Sequence, residues 1–220
     1  MDALECIRTR MSIRKFKPEP VPKDVLSDVI GTALRSPSYK NSQPWEVAVV
    51  SGRKKEEMSE LLVGLLDKGA GLEPDIPEPA SWPADIGQRI NAHMGARGQA
   101  MGIDLSDPAL RKKAKAANFR FYGAPHGIFL YQDSSLNEWS IFDMGLFAQS
   151  LLLSAHAHGL GTVPQAFLTD YSKEIKEFLG IPHGKRLIIG ISIGYPDMED
   201  KANSYRSTRL GTSGVIRWVG

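Results

Sequence analysis

The chain contains only one cysteine among its 220 residues, Cys6. It therefore cannot form a disulfide within one chain or a CxxC metal or redox pair, which is typical of proteins from a reducing compartment. An excess of charge of one sign is also lacking, because 27 basic and 25 acidic residues leave a net charge of +2. This balance argues against a general nucleic-acid or anionic-membrane surface.

Long apolar runs are missing as well. The longest apolar stretches are shorter than the roughly 18 residues that span a bilayer, and the chain does not open on a charged and then apolar leader. We therefore expect a cytoplasmic protein. Its hydrophobic fraction of 42% is enough for the core of one domain over residues 1–220.

Several motifs of catalysis and nucleotide binding are absent. The sequence has no GxSxG elbow, no GxxxxGK[ST] loop and no GxGxxG turn; GAGLEP after Lys68 and GLGTVP after His158 each lack the third glycine and the following helix. A hydrolase elbow, a P-loop and a Rossmann-type nicotinamide site are therefore disfavoured. No carboxylate lies at ligand spacing from His156 and His158, so we predict no metal site.

Apolar periodicity predicts helices that alternate with strands, an order typical of an α/β or α+β layer with a covered sheet. Helices are predicted at 2–11, from Pro22 to before Pro37, at 53–68, near 84–101, near 107–121, at 139–158 and near 170–179. Strands are predicted at 45–50, at 126–133 and over RLIIGISIGY. The 139–158 helix is apolar on most sides, so it is either buried all round or shared between subunits.

Two segments depart from this order. Four prolines from Pro74 to Pro83 predict an irregular segment. It belongs to an excursion near 69–122 that is expected to shape the substrate cavity, and a lid is one reading of it. Residues 204–220 end in VIRWV, a strand-like pattern with no hairpin partner nearby. An extended arm that pairs with another subunit and a frayed tail explain this pattern equally well.

A basic cluster, IRTRMSIRKFKP, lies where the first predicted helix ends. Arg10 and Arg14 flank Ser12, and two forked donors with a hydroxyl between them suit a phosphate monoester. A solvated basic face is the alternative. Arg206 and Arg209 offer a second set at the other end of the chain.

The order of these segments resembles the FMN-dependent nitroreductase family. The matching stretches are RTRMSIRKF, SPSYKNSQPW, NFRFYGAPHGIFLY, DMGLFAQSLLLSAHAHGLGTVPQ, IIGISIGYP and NSYRSTRL. SWP at 81–83 is similar to a subgroup that reduces nitrobenzoates. The resemblance implies an α+β, nitroreductase-like fold: a mostly antiparallel central sheet flanked by helices, in a homodimer that exchanges C-terminal arms and binds two FMN molecules at its interface.

The resemblance also implies roles for individual residues. Those expected to hold the FMN phosphate and ribityl chain are Arg10, Met11, Ser12, Arg14, Arg206 and Arg209. Those expected to line the flavin edge from the partner subunit are Pro37, Ser38, Tyr39 and Asn41. Those expected to bring backbone near the isoalloxazine are Pro164, Gln165 and Gly194. Arg14 is the candidate cation near N1 and the C2 carbonyl, where reduction of a flavin adds negative charge.

Aromatic residues are candidates for the substrate cavity. Tyr39, Trp82 and Tyr122 are predicted to stack on an aromatic substrate. Phe119 and Phe121 could do the same, but core packing is the favoured reading for both. Trp45 is expected to pack rather than react.

The function implied by the resemblance is a ping-pong exchange, in which NAD(P)H reduces FMN and leaves before a nitroaromatic or quinone takes its place. The residues do not distinguish NADH from NADPH, and none is assigned as a catalytic acid or base. Two alternatives stay open: a reductive dehalogenase or ene-reductase on the same fold, and a flavin-binding regulatory protein without turnover.

Overall fold

The computed structural model describes residues 2–104 and 107–220. Residues 105 and 106, which belong to the predicted excursion, lie outside the described residues. Across these two ranges, no helix is long and apolar enough to cross a membrane.

The elements follow the alternation expected from the sequence. The helices are α1 (Ala3–Thr9), α2 (Lys23–Ala33), α3 (Gly52–Lys68), α4 (Ala84–Met101), α5 (Pro108–Phe119), α6 (Glu138–Ala157) and α7 (Ser172–Leu179). The strands are β1 (Glu46–Ser51), β2 (His126–Asp133), β3 (Gly161–Gln165) and β4 (Lys185–Gly194). Short 3₁₀ turns lie at Tyr39–Asn41, Phe121–Gly123, Ala166–Thr169, Lys201–Asn203 and Thr212–Gly214.

The strands form one sheet in the order β1-β2-β4-β3, and all three pairings are antiparallel. This arrangement confirms the predicted α+β fold with a mostly antiparallel sheet. Close backbone approach explains some of the glycines in the strands. A Cβ on Gly190 would lie 2.4 Å from the Cβ of Leu168, so no side chain fits there without displacing the turn that follows β3.

A hydrophobic core covers each face of the sheet, since successive strand residues point to opposite sides. In β2, Phe129 packs with Met58 and Leu62 of α3, whereas Ile128 packs with residues of α2 and α6 such as Phe147. Phe119 and Phe121 are completely buried in the first of these cores. Trp45 stacks on Phe147 with ring centroids 5.0 Å apart in the second. The packing readings of Trp45, Phe119 and Phe121 are confirmed.

Two predictions about local structure need correction, and one stays open. Helix α1 ends at Thr9 rather than at residue 11, because the chain turns to run beside β3. Helix α5 ends at Phe119, because Phe121 and Tyr122 adopt left-handed backbone angles, with φ of 54° and 53°. The VIRWV stretch forms no strand within the described chain, where Trp218 is 87% exposed. Whether this stretch pairs with another subunit or is a frayed tail stays a prediction.

The start of the 69–122 excursion is docked rather than loose. The Glu73 N–H donates to the Asp170 carbonyl at 2.8 Å. The Asp75 carboxylate accepts from the ammonium of Lys176 at 3.0 Å and from the Leu187 N–H at 2.7 Å. These bonds fix the start of the excursion to the turn before α7, to α7 itself and to β4.

His126 makes a pH-dependent contribution to stability. Its Nε2 accepts from the Val21 N–H at 2.9 Å, so its proton lies on Nδ1, which faces the Ser51 hydroxyl at 2.6 Å. Burial lowers the pKa of His126 below its ordinary value. As pH falls through about 6.5, His126 is therefore protonated in the unfolded chain before it is protonated in the folded protein. The stability that neutral His126 contributes above this pH is lost as pH falls from there to the lower pKa of the folded protein.

We expect the free energy of unfolding of the wild-type protein to fall between pH 7.5 and 5 by about 1 kcal/mol more than that of His126→Gln. Urea unfolding at both pH values measures this difference. Equal losses in the two proteins would contradict the assignment.

Candidate functional site

The basic N-terminal segment is held against the open end of the sheet. The Ile13 N–H donates to the Thr162 carbonyl at 2.9 Å, and the Lys17 N–H donates to the Tyr195 carbonyl at 2.9 Å. A Cβ on Gly161 would lie 2.7 Å from Cγ1 of Ile13. Glycine at 161 therefore lets the segment approach β3, and this contact fixes the backbone that carries Arg10, Ser12 and Arg14.

Asn203 joins the two ends of the chain. Its Oδ1 accepts from the Arg14 N–H at 2.7 Å, and its Nδ2 donates to the carbonyls of Lys15 and Asp197 at 2.8 and 2.7 Å. The side chain is buried. Its bonds place the segment from Ser204 onward beside the N-terminal arginines. Sequence reasoning missed this residue, because an asparagine in a polar turn carries no motif.

The two basic sets meet around one cavity of about 700 Å³. The lining residues are Ile7, Arg8, Arg10, Met11, Ser12, Arg14, His93, Gln149, Tyr205, Arg206, Ser207 and Arg209. The structure thus brings together all six residues predicted to hold the phosphate and ribityl chain. None of the lining residues is an acid, so the cavity is strongly cationic although the chain as a whole is nearly neutral.

The arginines of the cavity are short of counter-charge. Burial, followed by the charge of Arg209, lowers the pKa of Arg10. Nη1 of Arg10 is buried and finds no hydrogen-bond partner among the described residues. A buried donor without an acceptor is costly. A dianionic phosphate supplies both the missing acceptor and the missing negative charge, so the residues present fit FMN.

Arg14 lies deeper than Arg10 and has an aromatic neighbour. Burial lowers the pKa of Arg14, the charge of Arg97 lowers it further, and a hydrogen bond with Tyr122 opposes both effects. The hydroxyl of Tyr122 therefore faces the guanidinium of Arg14. This contact places Tyr122 next to the cationic cavity, although it is not one of the lining residues.

Helix α4 supplies residues that sequence reasoning did not identify. Nδ1 of His93 lies 3.1 Å from the Tyr205 hydroxyl, and both side chains line the cavity. Burial, followed by the charges of Arg97, Arg14 and Arg209, lowers the pKa of His93, which favours a neutral ring at pH 7. A lone histidine on a polar helix carries no sequence signal, because its role depends on how α4 folds back over the C-terminal segment.

The loop around Tyr39 lies outside this cavity. None of Pro37, Ser38, Tyr39 and Asn41 is among the lining residues. The loop instead packs on α6, where the Tyr39 ring stacks on Trp139 at a centroid distance of 5.6 Å. Its contribution to a flavin site from the partner subunit stays a prediction.

Four further predicted site residues are not brought to the cavity lining. Gln165 is buried, and its Nε2 donates to Asn118 at 3.1 Å. A Cβ on Gly194 would lie 2.5 Å from Cδ of Pro125, so packing alone accounts for this glycine. Pro164 is paired with Ile191 in the sheet, and the Trp82 side chain is 51% exposed. The roles of Pro164, Gln165, Gly194 and Trp82 therefore stay predictions.

Comparison with known proteins decides the family. The profile of the nitroreductase family matches residues 7–195. The chain belongs to the nitroreductase family. The matched range covers the arginines at 10 and 14 and all four strands, whereas Arg206 and Arg209 lie beyond it.

Individual nitroreductases are similar over almost their whole length. A 4-nitrobenzoate reductase of Pseudomonas putida is 33% identical over 218 residues, which are 97% of this chain and 94% of that protein. A chloronitrobenzene nitroreductase of Comamonas testosteroni is 31% identical over 94% of this chain and 92% of its own.

A solved nitroreductase has the same fold. The crystal structure of the FMN-dependent nitroreductase NfnB from Mycobacterium smegmatis, in complex with NADPH, superposes with a TM-score of 0.94 at 32% identity. The match covers 99% of this chain and 98% of that one.

Proposed function

We propose that this nitroreductase-family protein is an FMN-dependent oxidoreductase that uses NAD(P)H to reduce nitroaromatic compounds. The observation that carries the proposal is the convergence of Arg10 and Arg209 on one cavity, where a buried guanidinium nitrogen finds no acceptor in the part of the chain that the structure describes. The similarity to nitroreductases that bind FMN or NADPH, or act on nitrobenzoate, supports the choice of cofactor and substrate.

The lining residues divide into two groups according to what they can bind. Arg10, Arg206 and Arg209, with the hydroxyl of Ser12, would hold the phosphate, because forked guanidinium donors match its oxygens. Arg14 would hold the electron-rich edge of the flavin ring, since its guanidinium is largely buried and hydrogen-bonded to Tyr122. When bound, FMN supplies hydride acceptance from NAD(P)H and electron delivery to the substrate.

The remaining lining residues bind and orient rather than react. His93 and Tyr205 contact each other across the cavity wall and hold α4 against the C-terminal segment. The cationic lining stabilises negative charge wherever it develops in the cavity. No side chain is needed as an obligatory acid or base, because solvent can supply the protons. NAD(P)H needs no dinucleotide-binding fold if it binds only transiently.

An anaerobic spectrum tests this function. We expect the purified protein to be yellow, to bleach with NADPH or NADH, and to regain its colour when 4-nitrobenzoate or nitrobenzene is added. A protein that binds FMN but does not bleach would be the regulatory alternative. Recovery with a halogenated aromatic or an activated alkene, but not with a nitroarene, would indicate the dehalogenase or ene-reductase alternative.

A homodimer is the proposed state of assembly. Tyr39, Trp139 and Phe142 form an aromatic patch in which each residue is more than half exposed. Trp218 and Val219 of the C-terminal arm are 87% and 88% exposed. Aromatic side chains are enriched at protein interfaces, and a second copy of the chain could cover both features.

We expect the double variant Trp139→Ser/Phe142→Ser to weaken dimerisation at least about a hundredfold, since an aromatic interface anchor contributes about 2 kcal/mol or more. Light scattering across a dilution series measures the dissociation constant. Leu72→Ser, which removes a similarly exposed side chain outside the patch, is the control. A double variant that stays as dimeric as this control would exclude the aromatic patch as the interface.

A further inference from the structure

The loop that follows α2 is strained where it lies on α6. Lys40, Asn41 and Gln43 have φ angles of 52°, 57° and 47°. Side chains other than glycine rarely adopt this left-handed region, and each instance carries a conformational cost. Such strain persists only where the surroundings enforce it, and it is concentrated at functional sites. We call residues 38–43 the strained loop.

Asp143 of α6 hydrogen-bonds to the strained loop. Its carboxylate is buried, and its two oxygens accept from the Tyr39 N–H at 3.1 and 3.0 Å. The Ser42 hydroxyl lies 3.5 Å from the second oxygen. One helical turn earlier, Trp139 stacks on the Tyr39 ring. Positions 139 and 143 share one helix face, so α6 holds the same residue of the loop by its ring and by its backbone.

The charge on Asp143 has no other evident use. Within the described residues, Asp143 forms no ion pair with a basic side chain. Burying a carboxylate without a cation is expensive, and an apolar residue would fill this position in the core at lower cost. Retaining the carboxylate makes sense if the conformation of the strained loop is itself required.

The strained loop does not serve the cavity of its own chain, because none of its residues is among those that line it. Tyr39 is 53% exposed and belongs to the aromatic patch of the proposed interface. The loop is therefore exposed at Tyr39 and does not line the arginine cavity of its own chain.

We infer that Asp143 is a positioning residue that presents the strained loop to the flavin cavity of the partner subunit. The inference rests on the proposed function. Each site then needs the arginines of one chain and the loop held by Asp143 of the other chain. A chain with a defect in one of these parts can therefore form a working site with a partner in which that part is intact.

Single variants test the role of Asp143. Asp143→Ala is expected to weaken FMN binding about ten- to a hundredfold, since a hydrogen bond to a charged group is lost. Asp143→Asn keeps an acceptor for the Tyr39 N–H and is expected to recover most of that loss. Ser154→Ala, which removes another buried polar group of α6 away from the loop, is expected to bind FMN like the wild type. FMN titrations of full-length dimers measure these affinities.

Mixed dimers test the transfer between subunits. An Asp143→Ala chain and an Arg10→Ala chain, carrying different affinity tags, are co-expressed and purified in two steps. The mixed dimer is expected to bind one FMN per dimer with wild-type affinity, whereas each parental homodimer binds it weakly. A mixed dimer without such a site would overturn the inference, because the loop would then act within its own subunit.

The outcomes separate this inference from the function on which it rests. If Arg10→Ala keeps FMN, the proposed cavity itself is wrong. If Arg10→Ala loses FMN but Asp143→Ala binds it normally, only the positioning role is wrong. If Asp143→Ala fails to fold, Asp143→Asn replaces it, and amide exchange at Tyr39 reports the conformation of the loop. Full FMN affinity with the loop conformation of the wild type supports the role of the acceptor. Full FMN affinity with a mobile loop overturns the inference.

Discussion

Arg10→Met is expected to bind FMN at least about a hundredfold more weakly than the wild-type protein. The variant keeps the apolar stem but removes a guanidinium that would make charge-assisted, forked hydrogen bonds to the phosphate, each of about 1.5–3 kcal/mol. Fluorescence titration of the cofactor-free protein measures the affinity. Arg111→Met removes an exposed arginine of α5 outside the cavity and is expected to leave the affinity unchanged.

The same substitution should not destabilise the protein when FMN is absent. Arg10 and Arg209 are close enough for each charge to disfavour the other, and Nη1 of Arg10 is buried with no acceptor among residues 2–104 and 107–220. Removing this charge relieves the repulsion, so the melting temperature of cofactor-free Arg10→Met should equal or exceed that of the wild type. A variant that melts lower without FMN and binds FMN normally would assign Arg10 a role in folding instead.

Asp75→Ala is expected to lower the free energy of unfolding by about 3 kcal/mol. The change leaves the buried ammonium of Lys176 without its carboxylate and leaves the Leu187 N–H without its acceptor. Urea unfolding measures the loss. Asp67→Ala breaks an exposed ion pair with Lys112 and should change the free energy of unfolding by less than about 1 kcal/mol. Similar losses in the two variants would show that the excursion is not anchored through Asp75.

Local patterns predicted most of the elements. The 84–101 helix and the 126–133 strand have the predicted bounds, because apolar periodicity and the flanking prolines and glycines act over short distances. Helix α1 was predicted two residues too long, because its end depends on a hydrogen bond from Ile13 to Thr162 in a distant strand. The spacing of apolar residues cannot register such a contact.

The candidate site was only partly predictable. Arg10 and Arg14 around Ser12 suggested a phosphate, but nothing in the spacing placed Arg209 beside them; the family resemblance did so. Asn203, His93 and Arg97 were missed, since each acts through a tertiary contact of an otherwise ordinary polar residue. The VIRWV pattern was predicted to have no hairpin partner nearby, and it forms no strand within the described residues; its pairing with another subunit stays a prediction.

The amide of Asn203 has a consequence for how the protein matures. Because this one side chain ties the backbone at Arg14 to the turn after β4, the cofactor cavity does not exist until the ribosome has released every strand of the sheet. Half-made chains would thus have no means of capturing flavin. Acquisition of yellow colour during synthesis would report that the chain has been made beyond Arg209 and that this segment has met the N-terminal arginines.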